Sequence, residues 1–404
     1  MGAQRSTEEP AVVSEESILL EILLIVVAAK ALGELFDRFS MPRVIGELVA
    51  GILLGPSALG LVRPSPELEA LAMVGVVFFM FSAGLEVNLR SLMRRFREGL
   101  LVALAGVAVP FTMGMALGYR HSLDLAQSFA LATCLSITAI GLSVRVLMDL
   151  HMLTTRVGLT IVNAAVDDDV IGLVLMSAAF ALALEEVEFH NVALAMVTAI
   201  AFLAAGFALG IAITRSVRAR LRFGRLLGLH TRNPSLKLGI AIAFALLFGY
   251  LARVSGLHEI VGVFIAGMIL NVLLGESAER EIIDFTFAFF ALLFFAYIGV
   301  KTDLRALAGA TWFTAELLVA AFAGKIIGGA LGSLAAGLSP REAVVVGIAM
   351  NSRAAVELAI AGTFYSLGVF TPEIFTAVVI MAAVTSVATP VMMRGAVRLL
   401  GLRR

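Results

Sequence analysis

Long uninterrupted apolar runs recur along the whole chain and constrain it more than any other feature. Ile18 to Phe36, Val44 to Leu61 and Leu68 to Leu85 are the first three, and Ile374 to Val397 is the last. About thirteen such runs approach the ~20 residues that a helix needs to cross a bilayer. Inside lipid, every backbone N–H and C=O must find a partner within a helix or a closed barrel. The runs are continuous rather than alternating, which selects helices. Composition agrees, with 60% hydrophobic residues and a mean hydropathy of +1.00. The expected fold is therefore an all-α polytopic membrane protein.

Charge in the connecting segments sets an expected topology. Arg38 and Arg43, then Arg90, Arg94, Arg95 and Arg97, fall in alternate loops, and a basic stretch from Arg215 to Lys237 falls on the same side. An opposite loop is acidic, with Glu185, Glu186 and Glu188. The positive-inside rule then puts the N-terminus outside and the C-terminus in the cytoplasm of a cell (inner) membrane. Residues 1–16 read as a polar outer tail and 17–214 as a first half. Residues 215–237 read as a cytoplasmic linker and 238–404 as a second half. The single cysteine, Cys134, gives no disulfide, and no His/Cys cluster resembles a zinc site.

The two halves repeat. Val44-Ile45-Gly46-Glu47-Leu48-Val49-Ala50-Gly51-Ile52-Leu53 echoes Ile260-Val261-Gly262-Val263-Phe264-Ile265-Ala266-Gly267-Met268-Ile269. Downstream, Gly84 with Asn88-Leu89-Arg90 echoes Gly299 with Asp303-Leu304-Arg305 at nearly the same offset. An odd number of spans separates the copies, so they enter the membrane from opposite sides. Such inverted-topology repeats are typical of secondary transporters. The same offset carries Thr133–Gly141 onto Ile348–Val356, two stretches that are polar at mid-span. Hydroxyls and amides there suit two crossing broken helices, whose facing dipole ends need compensation. Asn351, Arg353 and Glu357 are the candidates for that role.

The chemistry centres on Asp167, Asp168 and Asp169, inside an apolar stretch from Gly158 to Leu184. A charge at mid-membrane costs ~3 kcal/mol even on insertion scales and marks ion or proton pathways. Successive helix residues point about 100° apart, so all three cannot face one point. Their titration is expected to be coupled. Lys325 is the natural counter-charge and a candidate proton carrier. Gly324, Gly328 and Gly332 beside it form a ridge for close helix approach. Lys30 and Glu21, within the first run, read as lipid-facing or as a dimer contact.

At these residues the chain resembles the cation/proton antiporter superfamily, in particular bacterial Na+/H+ exchangers with paired aspartates. The blocks that carry the resemblance are Gly46–Pro56, Phe81–Glu86, Ala164-Ala165-Val166 with Asp168-Asp169-Val170, and Phe294-Phe295 with Ile298-Gly299. The resemblance implies a thirteen-helix homodimer with a mobile core domain and a dimerisation domain. It implies that Asp169 is the main carrier of ion and proton and that Asp168 pairs with Lys325. Three residues depart from the family pattern. Asp167 stands at a usually apolar position, Tyr297 at a usually small polar one, and Ala354 where glycine commonly follows the arginine.

The expected function is secondary antiport of a monovalent cation (Na+ first, Li+ or K+ otherwise) against protons. Asp168 and Asp169 would bind the ion, and Asp167, Ser136 and Thr138 are candidates for an additional ion site. A K+/H+ antiporter and a cation-coupled symporter of the same fold are the alternatives. Cation channel and intramembrane aspartyl protease are weaker rivals, the latter because its two aspartates must come from facing helices. No enzyme chemistry, cofactor or nucleic-acid partner is expected. The expected partners are the cation, protons, the lipid bilayer and a second copy of the chain.

Overall fold

The computed structural model describes residues 15–39, 41–87, 96–138, 140–153, 155–184, 189–216, 233–274, 276–353 and 355–401. The N-terminal tail, most of the basic linker, the acidic loop and Arg90, Arg94 and Arg95 lie outside the described residues. The first-half helices are α1 (Glu15–Arg38), α2 (Arg43–Leu54), α3 (Pro66–Leu85), α4 (Phe96–Arg120), α5 (Leu125–Ser136), α6 (Ile140–Asp149), α7 (Arg156–Leu184) and α8 (Phe189–Arg215). The second-half helices are α9 (Pro234–Val254), α10 (Glu259–Leu273), α11 (Glu276–Phe285), α12 (Ala291–Lys301), α13 (Ala306–Ala335), α14 (Pro340–Ala349), α15 (Ala355–Ser366) and α16 (Pro372–Leu399). A π-helical turn, Thr286–Phe290, joins α11 to α12.

Among the described residues, seven helical stretches are long and apolar enough to cross a membrane. They lie in α3, α4, α8, α9, α11–α12, α13 and α16. The sequence suggests more crossings than these seven, for physical reasons. α7 carries three acids, α2 and α10 are short, and α5/α6 and α14/α15 are each interrupted.

The interruptions fall where the repeat puts them. α5 ends at Ser136 and α6 starts at Ile140; α14 ends at Ala349 and α15 starts at Ala355. The two incoming half-helices start alike. Asp124 accepts from the Gln127 N–H at 2.7 Å while the Gln127 side chain accepts from the Asp124 N–H at 3.3 Å. Ser339 and Glu342 make the same reciprocal cap at the equivalent place in the second half. Each cap satisfies two of the first orphan N–H groups of its helix.

Glycine crossings follow the repeat as well. A Cβ at Gly51 of α2 would strike the backbone of Ala296 in α12, and one at Gly267 of α10 would strike Phe81 in α3. Likewise Gly84 meets Phe264, and Gly299 meets Leu48. By the repeat, Gly51 is equivalent to Gly267, Ala296 to Phe81, Gly84 to Gly299, and Phe264 to Leu48. The α2–α12 and α3–α10 crossings are thus one interface built twice, dependent on close backbone approach.

Packing sorts the helices into two groups. α1, α2, α3, α9, α10 and α12 pack on one another, and α4 to α7 pack with α13 to α16. α8 bridges them, touching α7 and α10. In the second group α13 lies directly on α4. Gly324, Gly328 and Gly332 contact Pro110, Ala105 and Leu101, so the expected ridge is used as such. Lys30 is exposed and donates to the Phe287 carbonyl at 3.3 Å, at the π-turn, where i→i+5 pairing disturbs the regular ladder.

Candidate functional site: a buried carboxylate between two broken helices

α7 carries its aspartates into the place where the two broken helices cross. Asp168 is fully buried. Its Oδ1 accepts from Lys325 Nζ at 2.9 Å, and its Oδ2 accepts from the Thr138 main-chain N–H at 2.6 Å. Thr138 lies in the gap before α6, where N–H groups have no intrahelical partner and the helix dipole is positive. Asp168 therefore neutralises an ammonium and a helix N-terminus together. Lys325 is fully buried too. Removing one partner of such a pair costs ~3–5 kcal/mol, while a well-packed apolar pair would often be as stable or more so. The charges therefore have no stability rationale and call for a functional one.

The other half-helix ends are also compensated. At the C-terminal end of α14, the Thr138 hydroxyl donates to the Met350 carbonyl at 3.0 Å and the Ser143 hydroxyl to the Ala349 carbonyl at 2.6 Å. At the C-terminal end of α5, buried Arg353 donates to the Cys134 carbonyl at 3.0 Å. It also donates to the Ala321 carbonyl at 3.4 Å and lies 3.6 Å from Glu357, in the first turn of α15. A cation thus sits at a negative helix end and a carboxylate at a positive one.

One sequence expectation needs correction. Asn351 compensates no helix end, because both of its side-chain amide atoms are buried without a hydrogen-bond partner. Ser143, overlooked in the sequence, caps Ala349 instead; its only signal was a hydroxyl shortly after the break. Ser136 belongs to the last turn of α5, where its hydroxyl donates to the Ala132 carbonyl at 2.6 Å, with the Val107 carbonyl 3.4 Å away.

The remaining aspartates diverge, as helix geometry requires. Asp169 is half-buried, its Oδ1 has no hydrogen-bond partner, and Glu86 beyond the end of α3 is within electrostatic range. Asp167 is 5% exposed and its Oδ2 lies by Gly99 of α4, on a different side of α7. Among the described residues, no three His, Cys, Asp or Glu side chains converge into a metal-binding group.

A cavity of about 810 Å³ opens between the two helix groups, bounded by Glu69, Phe180, His258, Tyr297, Lys301 and Ser366. It reaches α7 near its C-terminal end, at Phe180 and Ala181, roughly 16 Å or more from Asp169 at 1.5 Å per residue. Lys301 donates to Glu69 at 2.8 Å and to Ser366 at 3.0 Å, tying α12 and α3 to α15. Tyr297, at the usually small position, lines this cavity and reaches the Ser65 carbonyl at 3.4 Å. His258 stacks on Phe180 at 4.3 Å and caps α10 through the Ile260 N–H. Burial pushes its imidazole below the usual histidine range.

Residues 22–396 match the family of transmembrane sodium/hydrogen exchangers. The chain belongs to that family. The exchanger family is one of transporters, and its members are multi-pass membrane proteins. The chain is 31% identical over 381 residues to the Na(+)/H(+)-K(+) antiporter GerN of Bacillus cereus, covering 94% of this chain and 96% of that one. It is 32% identical over 399 residues to the Na(+)/H(+) antiporter NhaS4 of Synechocystis, with 92% and 95% covered. Its fold is similar to that of the sodium proton antiporter MjNhaP1 from Methanocaldococcus jannaschii. The TM-score is 0.72 at 15% identity, over 96% of this chain and 99% of that one.

Proposed function

We propose that this chain exchanges Na+ for protons by alternating access, with Asp169 as the shared ligand and Asp168–Lys325 as the charge pair coupled to it. The observation that carries this reading is a fully buried Asp168–Lys325 pair beside an aspartate oxygen that accepts no hydrogen bond. An unpaired carboxylate in low dielectric must hold a proton or a cation. Competition for that one ligand couples the two fluxes. A cation at Asp169 draws Asp168 away from Lys325, which then gives up its proton. K+ as the exchanged ion is the second reading, supported by the similarity to the Na(+)/H(+)-K(+) antiporter of Bacillus cereus. The protein is read as a homodimer in the cell membrane with its C-terminus in the cytoplasm. The group of α4–α7 and α13–α16 moves against the other.

Proteoliposomes with an internal pH dye and an imposed proton gradient test this. Adding Na+ or K+ should drive proton efflux in the wild type and none above background in Asp169→Asn. In Lys325→Gln, any remaining exchange should lose its response to membrane potential. Proton flux in Asp169→Asn equal to the wild type would overturn the assignment.

A further inference from the structure

Asp169 and the cavity between the helix groups share one stripe of α7 yet do not meet. Asp169, Leu173, Met176 and Phe180 follow one another at i, i+4, i+7 and i+11, which puts them on one helix face. Phe180 lines the cavity. Leu173, Met176 and Phe180 are all buried, so the stripe is closed and apolar between the cavity and the half-buried Asp169. Asp169 lies instead toward Glu86, just past the C-terminal end of α3. The cavity is bounded by Glu69 in the first turn of that same helix, about 25 Å from Glu86 at 1.5 Å per residue. With the C-terminus in the cytoplasm, as read above, α15 ends and α16 begins at the outer face. The cavity is then an outer one, shut off from the ion site.

Two contacts join the helix groups across this cavity. Ser366, the last residue of α15, donates to Glu69 Oε1 at 2.8 Å and accepts from Lys301 Nζ at 3.0 Å. Lys301 donates to the same Glu69 oxygen at 2.8 Å, so groups from α3, α12 and α15 close a polar ring. The Lys301 ammonium lies 4.9 Å from the centre of the Tyr365 ring of α15 and 5.5 Å from that of Tyr297 of α12, within cation–π range of both helix groups. On α7, Phe180 stacks on His258, the cap of α10, and packs on Phe364 of α15 at 4.8 Å. The polar ring is wet, because Ser366 is exposed and Glu69 and Lys301 are only partly covered. Such links are weak. The Lys301–Glu69 pair lies wholly within the first group and survives a movement of α15. Ser366 alone in the ring must then trade its partners for water.

We propose that Ser366, seated on the Glu69–Lys301 pair, is the latch of an outer gate whose plug is the Phe180–His258 stack, and that the cavity becomes the outer route to Asp169 only when both contacts part. The proposal rests on the exchange reading above, which requires Asp169 to face each side in turn. Parting the groups at this end lifts Phe180 from His258 and uncovers Met176 and Leu173, the residues that lie between the cavity and Asp169 on the stripe. The latch sets how much of the time the outer route is closed. Removing the Ser366 hydroxyl shifts that population and leaves the ion site untouched.

The test has two arms. The first needs no transport. Met176→Cys puts a thiol on the closed stripe, against a native background of one fully buried cysteine, Cys134. A charged, membrane-impermeant maleimide added to the outer face of proteoliposomes should label it slowly. Adding Ser366→Ala should raise that rate about threefold, the scale of one exposed polar link. Ser366→Thr, which keeps the hydroxyl, should leave the rate at that of its parent. Leu173→Cys is a second reporter on the same stripe. A rate unchanged by Ser366→Ala at both reporters overturns the latch. The second arm measures exchange from each face. In Ser366→Ala the KM for Na+ should fall about threefold from the outer face and stay at the wild-type value from the other, because only the rarer state gains population. Equal changes on both faces, or none, overturn the proposal, since a merely structural hydroxyl would not distinguish the faces. If wild-type vesicles exchange no cation for protons, the functional reading fails, and the labelling arm alone decides the latch.

Discussion

The two broken helices share a backbone plan and differ in chemistry. Both begin with a reciprocal cap, and both break at the same place in the repeat. Each places an orphan carbonyl at its break, Cys134 in α5 and Ala349 in α14, at equivalent positions. The first carbonyl is satisfied by a guanidinium and the second by a hydroxyl. The helices that follow diverge further. α7 has three aspartates, whereas α16 has no charged residue between Glu373 and Arg394. α13 has Lys325, whereas α4 is uncharged from Gly99 to Tyr119. Backbone symmetry supplies two opposed half-helix pairs, and side-chain asymmetry makes a single site. The repeat explains the fold, and the departures from it locate the chemistry.

Arg353 and Ser143 give the strongest test of that contrast. Arg353→Met should cost ~3–5 kcal/mol, because it strands buried Glu357 as well as the Cys134 carbonyl. Ser143→Ala should cost only ~1–3 kcal/mol, the expense of one unpaired buried carbonyl. Thermal unfolding in detergent compares them; equal losses would mean that the guanidinium acts as no more than a hydrogen-bond donor.

The glycine crossings should behave as twins. Gly51→Ala and Gly267→Ala each force apart two backbones in contact, an overpacking cost of ~1–3 kcal/mol. Similar losses in melting temperature are expected, and a large difference would show that the two crossings are not one interface repeated.

The smallest effect concerns the caps. Asp124→Ala and Ser339→Ala should each cost ~1 kcal/mol. Exchange at a temperature where both variants are folded should be unchanged. A selective loss of activity in one would tie that half-helix to gating.

Hydropathy made the helical class legible, because lipid leaves the backbone few choices. The internal repeat made the two breaks legible, and the same offset pairs the glycines that touch. Lys325 was legible as the counter-charge of the aspartates because a buried ammonium and carboxylate each need the other, and the family resemblance pointed to Asp168 as its partner; the structure pairs the two at 2.9 Å. What stayed hidden depends on which atoms meet in space. Ser143 and Asn351 are both polar residues near a break, and nothing local says that the serine caps a carbonyl while the amide pairs with nothing. That the Ser136 hydroxyl donates back to the Ala132 carbonyl of its own helix is likewise not written in the spacing. The π-turn at Thr286–Phe290 gives no periodic signal, so the contact of Lys30 with Phe287 could not be read from spacing.

The most direct test of the central claim, that one carboxylate serves cation and proton in turn, is isothermal titration of the purified protein with Na+ or K+ in buffers of different ionisation enthalpy. The account predicts that each bound cation releases protons, that affinity weakens as pH falls because protons then hold the ligand, and that Asp169→Asn abolishes both heats. Cation binding with no proton release, at an affinity independent of pH, would contradict it.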